Sequence, residues 1–416
     1  MINIPKGTKD VLPQDSYKWQ YVEKNVREIC NLYNFKEIRT PVFEHTELFL
    51  RSIGEDTDVV GKEMYTFLDK GERSITLKPE GTAPVARSFV ENALDSLSLP
   101  LKMFYITPVF RYEKPQDGRL REHHQFGVEV YGGDTAYLDY EVISLAYNFL
   151  SKMGVSDLEL NINSIGCPHC RKNYNDALKA FLREKYDSLC PTCKTRLERN
   201  PLRVLDCKVP ECKELMKGAP KIIDYICDDC KAHMDTLERL LKNGNINYKI
   251  NPNIVRGLDY YTKTVFEFVT NALGAQGTVC GGGRYNNLVE SVGGKSTPCV
   301  GFGMGIERLL MLMNALGVEI PNNNKPTVFV VSQSADYVDD CLKIVGELRT
   351  SGVAADLDVT GKSLKSQMKY ANKQSSDYVA VIGANELENG RITVKRMSDG
   401  NTDEIGINDL TNYCRR

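Results

Sequence analysis

Between His124 and Gly132, Gln125, Gly127, Glu129 and Tyr131 take every second position, with Phe126, Val128 and Val130 between them. Side chains alternate across a strand, so the first set shares a polar face and the second an apolar face that belongs in a core. An amide and a carboxylate with a glycine slot between them suit a small polar ligand lying against a sheet. An ordinary solvated face is the alternative. The preceding segment favours a site: Arg111, Lys114, Arg119 and Arg121 outnumber Glu113 and Asp117, a local cationic excess able to grip phosphate groups.

Three other segments carry similar potential. Leu77-Lys78-Pro79-Glu80-Gly81-Thr82 turns into a helix, and Gly81 allows close backbone approach to a ligand, although Glu and Thr at a helix start also act as caps. Arg256-Gly257-Leu258-Asp259-Tyr260-Tyr261-Thr262 sets a fixed cation beside two phenols at the mouth of a strand. Gly301-Phe302-Gly303-Met304-Gly305 opens a helix carrying Glu307 and Arg308, where the helix start favours anions and an arginine in the first turn reaches a phosphate. Each segment alone also has a purely structural reading.

Cysteine offers a different chemistry. Eight of the 13 cysteines fall between Gly166 and Lys249, as Cys167-x-x-Cys170, Cys190-x-x-Cys193, Cys207 with Cys212, and Cys227-x-x-Cys230. Two x-x pairs enclose a tetrahedral zinc, so the spacing predicts a structural zinc held by two of the pairs at Cys167, Cys190 and Cys227. His169 and His233 are weaker candidate ligands. Unliganded thiols in a helical module, forming disulfides only on air oxidation, are the alternative.

These groups need elements to position them. Trp19, Val22, Val26, Ile29 and Tyr33 recur at helical spacing, and the chain becomes extended from Phe35 to Pro41. Leu101–Tyr112 and His124–Gly132 read as an antiparallel hairpin with a long charged loop. Strand texture returns at Tyr261–Val269 and Gln276–Cys280, and Ile306, Leu309, Leu310, Met313 and Leu316 form a helical stripe. Pro321-Asn322-Asn323-Asn324-Lys325-Pro326 reads as a linker. Beyond it, strands are expected at Thr327–Ser332, Gly352–Val359, Tyr378–Ile382 and Arg391–Arg396, with helices after the first two.

A chain of 416 residues has room for several domains, and 53 basic against 55 acidic residues give a net charge of −2 and no global attraction to a polyanion. The N-terminus lacks a signal-peptide apolar core, and no run of about 18 apolar residues occurs. Thirteen cysteines are too sparse for a disulfide scaffold. The expectation is a soluble cytoplasmic protein with no membrane partner.

The joint order of the segments resembles the histidyl-tRNA synthetase family of class II aminoacyl-tRNA synthetases. The resemblance rests on Phe110-Arg111-Tyr112-Glu113, Gln125-Phe126-Gly127-Val128-Glu129, Arg256-Gly257-Leu258-Asp259-Tyr260-Tyr261, Thr278-Val279-Cys280-Gly281-Gly282-Gly283-Arg284-Tyr285 and Gly303-Met304-Gly305-Ile306-Glu307-Arg308. Pro41 matches the proline of the family's first motif. The resemblance implies an α+β fold: a class II synthetase-like antiparallel sheet flanked by helices, a helical Cys-rich insertion and a C-terminal α/β anticodon-binding-like domain. The expected boundaries are 1–165 and 251–320 for the two parts of the catalytic domain, 166–250 for the insertion and 325–416 for the C-terminal domain.

It further implies that Glu80, Thr82 and Gln125 hold the α-amino end of histidine, that Glu129 and Tyr261 face its imidazole, and that Tyr260 adjoins them. Arg111 and Arg256 would contact carboxylate and α-phosphate as the catalytic pair, with Arg111, Glu113, Arg119 and Arg308 around ATP. The implied ligands are L-histidine, ATP with Mg2+ and tRNA(His), and the implied assembly is a homodimer. A non-catalytic paralogue, the histidine-sensing regulatory subunit of ATP phosphoribosyltransferase, is the competing reading. Such paralogues usually lose the C-terminal domain and degrade the Arg256–Tyr261 segment, and both are intact here. One stretch departs from many relatives: Ser398-Asp399-Gly400-Asn401-Thr402-Asp403-Glu404-Ile405 replaces a Thr-Gly-Glu-Gln run. The segment from Lys325 to Arg416 holds 12 basic and 13 acidic residues, so composition carries no RNA-binding signal there.

Overall fold

The computed structural model describes residues 1–415 apart from 55–56, 58, 117, 206, 208, 255–257, 259 and 274–276. The chain divides into two compact units, Met1–Ile320 and Pro321–Arg416. Among the described residues no helix is long and apolar enough to cross a membrane.

The first unit opens with α1 (Pro13–Leu32), where Pro13 brings the fixed φ suited to a first helical turn and Val22, Val26, Ile29 and Cys30 form the buried stripe. Its strands are β1 (Lys36–Glu37), β2 (Phe43–His45), β3 (Tyr65–Leu68), β4 (Ser74–Leu77), β5 (Leu101–Phe110) and β6 (Glu122–Tyr131). They continue with β7 (Glu159–Ser164), β8 (Tyr248–Ile250), β9 (Thr262–Val269), β10 (Thr278–Arg284) and β11 (Cys299–Gly305). The helices are α2 (Thr46–Ile53), α3 (Thr82–Glu91), α4 (Ala136–Lys152), α5 (Pro168–Arg183), α6 (Pro191–Arg199), α7 (Pro210–Leu215), α8 (Asp228–Asn243), α9 (Leu288–Ser291) and α10 (Ile306–Ala315).

The main sheet runs β1-β5-β6-β11-β10-β9-β7-β8, and a small sheet runs β2-β4-β3. From β5 through β7 every pairing in the main sheet is antiparallel; only the outermost pairs, β1 with β5 and β7 with β8, are parallel. Phe126, Val128 and Val130 of β6 enter a core shared with α1, α4, α8 and α10. On the other face, Tyr105, Tyr131, Tyr261 and Tyr285 pack with Val85, Ala86 and Phe89 of α3. Burying a large apolar side chain contributes about 1.5–3 kcal/mol relative to exposure, and a one-residue slip of β6 would drive Glu129 into the first core. The two faces therefore fix the register that aims the polar row.

Gly301–Gly305 lead into a helix as expected, α10 starting at Ile306 with Gly305 as its N-cap, but they are themselves the end of strand β11, which the sequence did not suggest. Glycine at every second position suits a strand whose neighbour sends large side chains across it, and β11 pairs Gly301 with Glu129 and Gly303 with Gly127.

Between β7 and β8, α5, α6 and Cys190, Cys193, Cys207 and Cys212 build a small core of their own around Tyr174, Leu178, Leu197 and Val204. Met234, Leu237 and Leu241 of α8 instead join the main core. In the second unit, β12 (Val328–Ser332), β13 (Ala355–Leu357), β14 (Tyr378–Ile382), β15 (Arg391–Arg396) and β16 (Thr402–Gly406) take the order β13-β12-β14-β15-β16. The first three are parallel and the last two antiparallel, with α11 (Val338–Thr350) and α12 (Leu364–Lys373) supplying crossovers and α13 (Ala384–Asn389) and α14 (Leu410–Cys414) the remaining helices. Strand β16 escaped the sequence reading because its Thr-Asp-Glu-Ile-Gly run is an exposed edge with no apolar alternation. The divergent stretch at Ser398–Ile405 forms its turn and most of its length.

Candidate active site

Glu129 is fully buried, and both carboxylate oxygens accept phenol hydroxyls: Tyr105 Oη donates to Oε1 at 3.0 Å and Tyr285 Oη to Oε2. Tyr105 faces Gly127 across the β5–β6 pair, and a Cβ on Gly127 would lie 2.3 Å from its ring. The slot expected over Gly127 is thus filled by the Tyr105 ring, because the cross-strand partner is aromatic. Across β11, a Cβ on Gly301 would meet Glu129 Oε2 at 2.1 Å and one on Gly303 would meet Gln125 Nε2 at 2.0 Å. Only glycine leaves room there for the carboxylate and the amide. Tyr131, on the same row, stacks on Phe89 with centroids 4.5 Å apart and closes that end of the row.

The Leu77–Thr82 segment joins this row. Gly81 N donates to Gln125 Oε1 at 3.0 Å, and the buried Glu80 accepts from the backbone of Thr82 at 2.8 Å and Ala83 at 2.7 Å. Glu80 therefore accepts the first two N–H groups of α3 while lying next to Gly81, the N-cap and the partner of Gln125. Burial pushes the Glu80 carboxyl above its ordinary range, opposed by those N–H groups and by Arg111. Burial pushes Glu129 up much further, with the Glu80 charge adding to it and Thr82 and Tyr105 donors opposing. A carboxylate offers about four lone-pair sites, so Tyr105, Tyr285 and Thr82 leave Glu129 able to accept one more N–H.

Tyr260 and Tyr261 are buried with centroids 4.8 Å apart, and Tyr260 lies 5.4 Å from the Tyr285 ring. Arg256 lies outside the described residues, as do Gly257 and Asp259.

The basic loop closes over the same end of the sheet. Arg111 Nε donates to Pro79 O at 2.8 Å, Arg119 Nη1 to Glu113 Oε2 at 3.3 Å, and Arg308 Nη1 to Thr278 O at 2.7 Å. Arg308 also reaches the loop itself, through Gly118 O at 3.4 Å. His123 senses the cluster: burial, then Arg111, His124 and Arg308, hold its imidazole down at about 3, so it is neutral. Sequence reasoning missed His123, Tyr105 and Tyr285. The first extends the period-two row of β6 backwards and was accessible to the same argument; the two tyrosines arrive from other strands.

The cysteines gather into two four-sulfur groups, Cys167, Cys170, Cys227 and Cys230, and Cys190, Cys193, Cys207 and Cys212, each with its sulfurs within 4.8 Å of one another. The Cys167 and Cys227 pairs meet. This first group is made of two x-x pairs, as the spacing led one to expect; the Cys190 pair meets Cys207 and Cys212 instead, a second group that the x-x spacing alone did not predict. In the first, Cys167–Cys170, Cys167–Cys227 and Cys170–Cys230 sulfur separations are 3.5, 4.0 and 3.8 Å. Tetrahedral zinc with bonds of about 2.3 Å spaces its sulfurs by about 3.8 Å, so either group can hold a metal ion. His233 is committed elsewhere: its Nε2 lies 2.6 Å from Asp139 Oδ2.

A sheet antiparallel through its centre, with basic groups at a hairpin mouth rather than at a glycine-rich helix start, is that of the class II aminoacyl-tRNA synthetases. A histidyl-tRNA synthetase family model matches residues 7–309 and an anticodon binding domain model residues 327–416. The chain belongs to the histidyl-tRNA synthetase family. It is 58% identical over 409 residues to the histidine–tRNA ligase of Clostridium novyi, covering 98% of this chain and 97% of that one. It is 55% identical over 415 residues to that of Caldanaerobacter subterraneus subsp. tengcongensis, covering 99% and 98%. Among solved structures it is similar to the apo S. aureus histidyl-tRNA synthetase, with a TM-score of 0.86 and 38% identity over the whole of both chains.

Proposed function

We propose that the chain ligates L-histidine to tRNA(His) in two steps. The histidine carboxylate attacks the α-phosphorus of ATP and pyrophosphate leaves; the terminal ribose hydroxyl of the tRNA then attacks the acyl carbon and AMP leaves. The observation that carries this reading is the buried Glu129, held by two phenols on the polar row of β6 and still able to accept an imidazole N–H. Tyr261 supplies the opposite side of the imidazole, and Glu80, Thr82 and Gln125 receive the α-amino end. Tyr260 completes the histidine site; Arg111 and Arg256 bring carboxylate and α-phosphate together; Glu113, Arg119 and Arg308 hold the nucleotide. No protein nucleophile takes part, so positioning and fixed charge supply the rate. Mg2+ bound with ATP neutralises phosphate charge.

The two four-sulfur groups are read as structural zinc sites, the assembly as a homodimer and the compartment as cytoplasm. The regulatory-subunit reading is not favoured, since full-length relatives at 58% and 55% identity are histidine–tRNA ligases. Charging tests the proposal: the purified protein with ATP, Mg2+, radiolabelled histidine and tRNA is expected to yield acid-precipitable histidyl-tRNA. Failure with histidine but success with another amino acid would overturn the pocket assignment.

A further inference from the structure

The first four-sulfur group sits where two helices start. Cys167 is the N-cap of α5 and Cys227 the N-cap of α8, while Cys170 and Cys230 lie in their first turns. The backbone N–H of Cys227 donates to Cys170 Sγ at 3.0 Å, so the two starts are tied even through their thiols. Each helix then sends one basic side chain towards the segments carrying the pocket tyrosines. Arg171, next after Cys170, donates through Nη2 to the carbonyl of Tyr261. His233, one turn after Cys230, reaches the fully buried Asp139, whose Oδ2 also accepts Thr264 Oγ1 at 2.6 Å. Asp139 Oδ1 lies 2.6 Å from Nε of the fully buried Arg284 as an ion pair, and Arg284 adjoins Tyr285, the phenol on Glu129.

We propose that the Cys167–Cys170–Cys227–Cys230 metal site is a positioning device for the histidine pocket, acting through Arg171 on Tyr261 and through His233, Asp139 and Arg284 on Tyr285. The inference rests on the zinc and pocket assignments made above. A metal there fixes the two helix starts relative to each other, and hence the two side chains that brace the segments carrying Tyr261 and Tyr285, whose rings meet edge to face with centroids 6.3 Å apart. The brace at Tyr261 is not backed by solid core: Arg171 and Tyr261 both line a cavity of about 250 Å3 together with Tyr174, Leu202 and Ile254. With α5 released, that space lets Arg171 withdraw. The second group, Cys190, Cys193, Cys207 and Cys212, lies in the separate small core.

The test is steady-state pyrophosphate exchange on the full chain, with zinc measured by elemental analysis on the same samples. Arg171→Ala is expected to keep its zinc, raise the KM for histidine about tenfold and leave the KM for ATP within about twofold, the loss of one charged hydrogen bond. Arg171→Lys should recover most of that rise. Stripping zinc from the unsubstituted protein with a chelator should give the same selective rise, reversed by added Zn2+. Arg171→Ala with an unchanged histidine KM, or with both KM values raised alike, would overturn the proposal, as would a stripped protein of normal histidine KM. Protein that holds no zinc as purified would overturn the metal assignment alone, and Arg171→Ala would still decide the coupling.

Discussion

Glu129 bears the cost of its burial. Its carboxyl is pushed well above the ordinary 4.5, first by burial. A folded value above the unfolded one means the native state holds the proton more tightly, so the contribution to stability is full below about pH 4.5 and is lost as pH rises through the folded value. Glu129→Gln removes that slope: its melting temperature should gain on the unsubstituted protein from pH 5 to pH 8, and a difference independent of pH would contradict the account. Glu129→Ala removes the acceptor for an imidazole N–H, which should weaken histidine binding by about 1–3 kcal/mol with ATP binding nearly intact, readable by calorimetry. Arg256 is proposed to hydrogen-bond both anions as they approach, where a planar guanidinium exceeds an ammonium. Arg256→Ala should lower single-turnover adenylation by on the order of 10²–10³, with Arg256→Lys recovering part; a defect that vanishes at saturating histidine and ATP would make it a binding residue.

At the scale of elements, the pocket is built by β6 and β11 interlocking: long polar side chains on one strand stand over glycines on the other. A Cβ on Gly303 lies 2.0 Å from Gln125 Nε2, so Gly303→Ala must displace the amide that accepts from Gly81. Overpacking of this kind costs about 1–3 kcal/mol, and kcat/KM for histidine should fall at least tenfold while the chain stays folded by circular dichroism; unchanged kinetics would mean Gln125 has no part in binding. The polar row was legible because period two is a property of the strand alone. The glycines of β11 were legible as the entry to α10 but not as a strand, because that role depends on what the neighbouring strand projects. Tyr105 and Tyr285 escaped for the same reason, being ordinary strand tyrosines until pairing aims them at Glu129. Glu307, beside Arg308 in the first turn of α10, accepts from the backbone of His124 at 2.9 and 3.0 Å and ties α10 to β6.

Over the whole molecule, each compact unit has a hydrophobic core of its own, and every side chain proposed for the chemistry belongs to the first. Ending the chain after Pro321 should leave adenylate formation measurable while severely reducing transfer to tRNA; full charging by the truncated chain would contradict the role of the second unit. The cysteine spacing disclosed that metal chemistry was available, but only folding decides which sulfurs meet, so Cys207 and Cys212 gained their place in a group from the structure. The central claim, that the row on β6 selects histidine for activation by ATP, is tested most directly by pyrophosphate exchange into ATP with each of the twenty amino acids in turn and no tRNA. Exchange that depends on histidine and stays at background with the others is the predicted result; exchange that is absent with histidine, or as fast with another amino acid, would contradict it.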